Sequence, residues 1–198
     1  MGYADCTIKE FVSRLSSSEP VPGGGSASAI VGALASALIH MDCTLTTGKE
    51  SYASIKEETA EIMKKSASIS RQLLRLADRD ARSFRMVMKA IEMPKNTELQ
   101  KLKRFEKIQE ALKEAAIPPL EIMKCCRELE DMARFMAERG NKSSRSDAVV
   151  GEILASAALK SAYENLQINL EAIKDEKFVN EMNRRVSEFM RSESQFVR

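Results

Sequence analysis

An all-α fold is what this 198-residue sequence predicts: a single-domain antiparallel helical bundle with a central small-residue helix and long flanking helices. Three observations carry the prediction. Apolar residues recur in steps of three and four over long stretches, the spacing of one helix face, and no stretch reads as a strand. Two capping boxes, Thr7-x-x-Glu10 and Thr97-x-x-Gln100, mark helix starts. The stretch Pro20-Val21-Pro22-Gly23-Gly24-Gly25-Ser26 leads into Ala27-Ser28-Ala29-Ile30-Val31-Gly32-Ala33-Leu34-Ala35-Ser36-Ala37-Leu38-Ile39, whose small side chains let neighbouring helices approach from all sides.

Composition bounds the rest. The length suits one domain over residues 1–198, and 43% apolar residues suffice for a sizeable core. Eleven methionines suit packing by flexible side chains. A net charge of +2 argues for neither a nucleic-acid nor a membrane-surface partner. Cys6, Cys43, Cys125 and Cys126 form no C-x-x-C pair and His40 is the single histidine, so no metal site is expected. Reduced thiols and a cytoplasmic location follow. Asp5, Lys9 and Glu10 stand where a signal peptide needs an apolar run. The run from Ala27 to Met41 is short of the roughly 20 residues of a membrane span and is closed by His40 and Asp42, so it reads as a buried core helix.

In chain order, Thr7 caps a short helix with Ile8, Phe11, Val12 and Leu15 on one side. Ser26 reads as the N-cap of the central helix, which stops near Thr47-Gly48. From Ser51 to Ile91 one stripe runs through Ile55, Thr59, Ile62, Ser66, Ile69, Leu73, Leu76, Asp80, Phe84, Val87 and Ile91. Pro94 ends it. Leu102, Phe105, Ile108 and Leu112 line the next helix, which Pro118-Pro119 is expected to break or kink. A further helix to Arg139 turns Ile122, Cys126, Leu129, Met132 and Met136 inward, with Gly140 as its stop. After the loop Asn141–Asp147, a helix carries Val150, Leu154, Ala157, Ser161, Asn165 and Ile168 on one face. Phe178, Met182, Val186 and Phe189 mark a last amphipathic helix.

Chemistry concentrates at three places. Asp80 stands on an apolar stripe, where a carboxylate costs desolvation unless it is paired or hydrogen-bonded. It reads either as a ligand-contacting or acid/base group, or as a structural partner of Arg71 or Lys107. The loop Asn141–Asp147 precedes a helix start, whose free N–H groups suit anions, although Ser146 or Asp147 can equally serve as a plain cap. The glycine stretch lacks both the dinucleotide spacing and the phosphate-loop lysine. His40 reads as a satisfied, partly buried histidine and Cys43 as a buried structural thiol.

Five ordered motifs then resemble one family: PVPGGGSASA at 20–29, the helix running into MDCTLTTGKESY, LADRDARSF at 76–84, MPKNT at 93–97, and GNKSSRSDAVVGEILASAALKSAYENLQINL at 140–170. They look like the cyclodeaminase family in its stand-alone form, over about Thr7 to Arg185. The family includes the C-terminal domain of formiminotransferase-cyclodeaminase and free-standing methenyltetrahydrofolate cyclohydrolases. The resemblance implies a homodimer or higher homo-oligomer, a tetrahydrofolate derivative as substrate, and no further cofactor. Two reactions stay open: closure of 5-formiminotetrahydrofolate with loss of ammonia, or hydrolysis of 5,10-methenyltetrahydrofolate. Absence of a formiminotransferase domain weighs towards the second. Both pass through a tetrahedral carbon between N5 and N10 and need proton transfers.

By the same resemblance Asp80 and Asp147 divide two tasks, pterin recognition and proton transfer. Pro22, Gly23, Gly24, Gly25 and Ser26 place backbone against the substrate. Lys95 and Asn96 in one turn, with Asn141 and Ser146 in the loop, bind it, and Lys95, Lys142 and Arg145 suit its glutamate carboxylates. Asn165 and Asn169 face the cationic centre. Asp42 departs from the small or apolar residue expected there and marks an interface or a modified site. The alternative reading is a non-catalytic helical oligomerisation or small-ligand-binding protein. That alternative predicts Asp80, Asp147 and Asn169 far apart.

Overall fold

A computed structural model describes residues 2–191; Met1 and residues 192–198, the two ends of the expected 1–198 domain, lie outside the described residues. Six α-helices follow one another: α1 (Ile8–Leu15), α2 (Gly24–Thr47), α3 (Lys56–Ile91), α4 (Glu98–Arg139), α5 (Arg145–Ala172) and α6 (Glu176–Arg191). Short 3₁₀ turns cover Tyr3–Asp5 and Glu50–Ile55, so the long third helix starts at Lys56 rather than Ser51. No strand occurs among the described residues. Helices α2 to α5 form the bundle, with α2 and α4 each packed on both α3 and α5. Short connections reverse the chain at each step, which makes sequential neighbours antiparallel. One apolar cluster runs through all four, including Ile39 of α2, Leu73 of α3, Leu129 and Met132 of α4, and Leu166 of α5.

Small residues place α2 at the centre, as expected. A Cβ on Gly32 would come within 2.9 Å of the Cys126 sulfur and 3.1 Å of Leu73, so α2 touches α3 and α4 at once. Its polar side chains use backbone acceptors: Ser36 Oγ donates to the Ser66 carbonyl at 2.6 Å, and His40 Nδ1 lies 3.0 Å from the Met63 carbonyl. At 24 residues α2 is longer than the run read from sequence, and by length and composition it meets the requirement of a membrane span. Half of its most apolar window is buried in the bundle, as suits a core helix.

Pro118 and Pro119 do not break their helix; both are buried inside an unbroken α4. A proline at 119 leaves the carbonyl four residues earlier without its N–H. Asn169 Nδ2 of α5 donates to that carbonyl, on Ala115, at 3.3 Å. The missing helical bond is therefore replaced from the neighbouring helix.

Two further expectations change because periodicity marks a face without saying what covers it. Helix α2 begins at the level of Ala77, whose carbonyl accepts from Ser26 Oγ at 2.9 Å. Helix α5 ends against α4, where Gln109 Nε2 donates to the Ala172 carbonyl at 3.1 Å. Beyond those levels α3 and α4 continue as a two-helix arm closed by the turn at Pro94. On that arm Phe84, Ile91, Leu102 and Phe105, expected inward, are 38%, 43%, 56% and 49% exposed. In α5, Val150, Leu154, Ala157, Ser161, Asn165 and Ile168 share the outward side, with Ile168 at 68% exposure. The buried side is Ala148, Gly151, Ala155, Ala158, Leu159, Ala162, Leu166 and Leu170. Gly151 packs against Ala35 and Leu38 of α2, and exposed Leu34, Met41 and Leu45 extend the same apolar outer surface.

Candidate functional site

The N-terminus of α2 forms one polar end of the bundle. Gly23, in extended conformation, occupies the cap position and Gly24 starts the helix, so Ser26 is not the N-cap. Ser26 is fully buried in the first turn instead, and its Oγ donates to Asp80 Oδ2 at 3.0 Å as well as to Ala77. The Asp80 carboxylate thus lies where an N-cap side chain would, supplied by α3. A helix N-terminus favours negative charge there. Gly25 is required by this approach, since a Cβ would overlap the Asp80 carboxylate; a Cβ on Gly24 would stand 3.1 Å from Asn165 Nδ2. Pro22, buried after a cis Val21–Pro22 peptide, leads the chain into this turn.

Asp80 is half-buried and pairs with neither Arg71 nor Lys107. Burial pushes its carboxyl above the ordinary carboxylate range, and the Ser26 hydroxyl and backbone N–H pull it partly back. Such a carboxyl exchanges a proton closer to neutrality than a solvated one. Asn165 and Asn169 stand at this end, each half-buried; Asn165 Nδ2 donates to the Ser161 carbonyl at 2.8 Å and Asn169 Nδ2 to the Asn165 carbonyl at 2.8 Å.

The C-terminus of α2 forms the opposite polar end. Asp42 is fully buried, accepts from Ser144 Oγ, and leaves Oδ2 with no hydrogen-bond partner. Burial raises its carboxyl, Ser144 lowers it, and the nearby Asp147 raises it further. Asn141 ties the loop down: its backbone N–H donates to Thr46 Oγ1 at 3.0 Å, its Nδ2 to the Leu45 carbonyl at 3.2 Å, and its Oδ1 accepts from Lys49 Nζ at 3.0 Å. Fully engaged, Asn141 acts here as a clamp between α2 and the loop. Asp147 is half-buried in the first turn of α5. Ser146 is exposed.

Asp80 and Asp147 therefore do not meet within one chain. Ser26 and Asp42 are 16 residues apart on α2, about 24 Å at the helical rise. That separation is what the non-catalytic alternative predicts for Asp80 and Asp147, whereas Asn165 shares the Asp80 end. Lys95 and Asn96 are exposed at the arm's tip, 15 and 16 residues beyond Asp80, where the Asn96 N–H donates to Gln100 Oε1 at 2.9 Å. Lys142 and Arg145 stand at the Asp42 end; Arg145 Nε donates to the Ala137 carbonyl at 3.2 Å. A concavity of about 940 Å³ between α3 and α4 is lined by Arg79, Arg82, Met86, Lys89, Met93 and Lys107 among others, but not by Asp80.

Other reactive groups are quiet. Burial pushes the Cys43 and Cys125 thiols up to about 12, and Cys126 higher still, so none is a ready nucleophile. Among the described residues no three His, Cys, Asp or Glu side chains cluster as a metal site would need. What sequence reasoning missed is the pairing of Asp42 with Ser144; the signal was a charged residue within an otherwise apolar helix.

Comparison with known proteins adds four findings. The family model described as formiminotransferase-cyclodeaminase matches residues 7–188. The chain is 42% identical over 175 residues to a methenyltetrahydrofolate cyclohydrolase of Methylorubrum extorquens, covering 88% of this chain and 84% of that protein. It is 31% identical to the rat formimidoyltransferase-cyclodeaminase over 94% of its own length, and spans about a third, 34%, of that longer protein. The crystal structure of a formiminotetrahydrofolate cyclodeaminase from Thermotoga maritima superposes with a TM-score of 0.85 at 31% identity, covering 94% of this chain and 89% of the other.

Proposed function

The chain belongs to the formiminotransferase-cyclodeaminase family, and from that premise we propose that it is a folate-dependent one-carbon enzyme hydrolysing 5,10-methenyltetrahydrofolate to 10-formyltetrahydrofolate. The observation that carries this choice is the 42% identity to a methenyltetrahydrofolate cyclohydrolase over most of both chains. In this reaction water adds to the methenyl carbon between N5 and N10. The added oxygen loses one proton as the tetrahedral carbon forms and its second as the formyl carbonyl forms; the bond to N5 breaks as N5 gains one of these protons, and the other leaves to solvent. One proton-carrying group within reach serves both transfers.

Asp80 is that group in our reading. Its raised carboxyl suits proton exchange near neutrality, and Ser26 fixes its orientation. As an anion it also complements the methenyl cation. The glycines keep the carboxylate against the first turn of α2, so its position does not depend on a flexible loop. The enzyme needs no cofactor beyond the folate itself, and reduced thiols suit a cytoplasmic setting.

A second reading, cyclodeaminase action on 5-formiminotetrahydrofolate, is favoured by the Thermotoga superposition. Asp80 would carry the same proton traffic, with ammonia as the leaving group. Both readings are tested by following methenyltetrahydrofolate absorbance with purified protein. Decay above the buffer rate supports hydrolysis; appearance from the formimino substrate supports deamination; neither signal sinks the folate assignment.

A homodimer belongs to the same proposal. Leu34, Met41 and Leu45 of α2 with Val150 and Ile153 of α5 are exposed large apolar residues on one surface, the kind of patch that marks an interface. Leu34→Glu combined with Ile153→Glu should convert a dimer into a monomer by light scattering. An unchanged mass would rule this surface out.

A further inference from the structure

We propose that the groove between α3 and α4 on the arm docks an acidic amphipathic helix of about four turns, supplied by a partner protein. The groove is the concavity of about 940 Å³ that Asp80 does not line, so the docking is separate from the folate chemistry.

Charge is the first support. Residues 82–107 hold eight Lys or Arg and three Glu, a net +5, whereas the whole chain is +2, which leaves the other residues at −3. Lys101 pairs with Glu98, and Lys107 with Glu110. Arg82 and Lys89, on the α3 rim of the groove, make no hydrogen bond or ion pair among the described residues. They stand seven residues apart, about two turns and about 10 Å along α3. Two acids at i and i+7 of a helix laid in the groove match that spacing.

The floor is the second support. Met86, Ala90 and Met93 of α3 and Ala111 of α4 line it between the charged rims. Met86 is 58% exposed, a large apolar side chain that nothing in its own chain covers. Methionines repack readily around a docked helix, because they are unbranched and flexible. On α3 the lining runs from Arg79 to Met93, about 21 Å at the helical rise. That length takes about four turns of a partner helix, with apolar anchors at i, i+4, i+7 and i+11.

The rims also differ in sign, and this selects the kind of partner. On the α4 side stand Glu110, held by Lys107, and Glu114, which has no partner among the described residues. A nucleic-acid backbone would meet Glu114 as a like charge and would leave the methionine floor unused. A helix with an acidic edge towards α3 and a basic residue towards Glu114 complements both rims. The groove is also open to a partner. Lys89 is nine residues from Asp80, about half a turn around α3, and Asp80 meets the start of α2. The groove therefore faces away from α2, and the homodimer surface on α2 and α5 does not cover it.

A fluorescein-labelled synthetic peptide of about 16 residues is the probe, with Leu at i, i+4, i+7 and i+11, two Glu seven apart on one edge and a Lys on the other. Anisotropy titration with the full chain should show saturable binding that weakens with added salt. Arg82→Glu combined with Lys89→Glu should weaken it about tenfold or more, because like charges then face each other. A peptide whose two Glu are replaced by Arg should regain binding to that variant. Met86→Asp sets an unpaired carboxylate under the helix and should cost about tenfold as well. All three positions are exposed, so circular dichroism should stay that of the wild type. Absence of saturable binding overturns the proposal. So does equal binding of a shuffled peptide whose Leu residues share no face, or failure of the charge swap to restore binding. Tighter binding of a labelled single-stranded oligonucleotide of equal charge overturns it in favour of a nucleic-acid partner.

Discussion

The two ends of α2 hold one aspartate each, and they treat it in opposite ways. Asp80 meets a helix N-terminus, with a hydroxyl and a backbone N–H from Ser26, and stays half-open. Asp42 sits near the C-terminal ends of α2 and α4, fully buried, with one hydroxyl donor, one bare oxygen and a second carboxylate nearby. A helix C-terminus carries partial negative charge, so the dipole opposes an anion there and favours one at the N-terminus. Burial raises both carboxyls. At one end local donors and an opening keep the group exchangeable; at the other the same burial, with a second carboxylate nearby, disfavours the charged form of a structural acid.

The largest effect should come from Asp80→Asn. A general acid/base contributes about 10²- to 10⁴-fold, so turnover of the folate substrate should drop by about 100-fold or more with little change in Tm. Wild-type turnover in this variant would erase the distinction between the two ends. Gly25→Ala attacks the same end through space, because its Cβ displaces the Asp80 carboxylate. We expect about a tenfold or greater loss in kcat at a stability cost of about 1–3 kcal/mol, the range for overpacking. Gly23→Ala, with nothing near the added Cβ, is the control.

At the other end the sign reverses. Asp42 binds its proton more tightly in the folded chain than in the unfolded one. Stability therefore falls as pH rises from the ordinary carboxylate range through the raised Asp42 value, and is level above it. Asp42→Asn removes that fall. The variant should gain on the order of 1 kcal/mol at neutral pH, the scale of an unsatisfied buried polar atom, and gain nothing in strong acid. Denaturant melts across pH measure this, and a variant less stable than wild type at pH 7 would mean that Asp42 is held as an anion.

The smallest effect concerns the helix that joins the two ends. Asn169→Ala strands the Ala115 carbonyl and should cost about 1 kcal/mol. In a Pro119→Ala background the restored N–H supplies that carbonyl, so the cost should nearly vanish. An equal cost in both backgrounds would show that Asn169 acts elsewhere, and a kcat loss would return it to the substrate.

Local chemistry was readable from sequence at the starts of α1 and α4. Both capping boxes form as read: Thr7 with Glu10, and Thr97 with Gln100. Ile122, Cys126, Leu129, Met132 and Met136 are all buried as the spacing predicts. Asp80 was legible as a misfit on an apolar stripe, and the structure adds why it is there: it meets the first turn of α2, which begins at that level. Less legible were features set by a neighbour. Ser26 looks like a cap until α3 brings a carboxylate to do the capping. Pro118-Pro119 look like a break until Asn169 of α5 supplies a donor.

The sequence by itself determined the helices, their small-residue centre and the residues with polar work to do. Those depend on groups three or four positions apart, which the backbone hydrogen bond and the 3.6-residue turn fix locally. Only the tertiary structure decided which faces are covered, because coverage depends on where neighbouring helices begin and end. That is why the Val150–Ile168 stripe of α5, equally periodic in either case, faces outward, and why Asp80 and Asp147 stand at opposite ends of one chain.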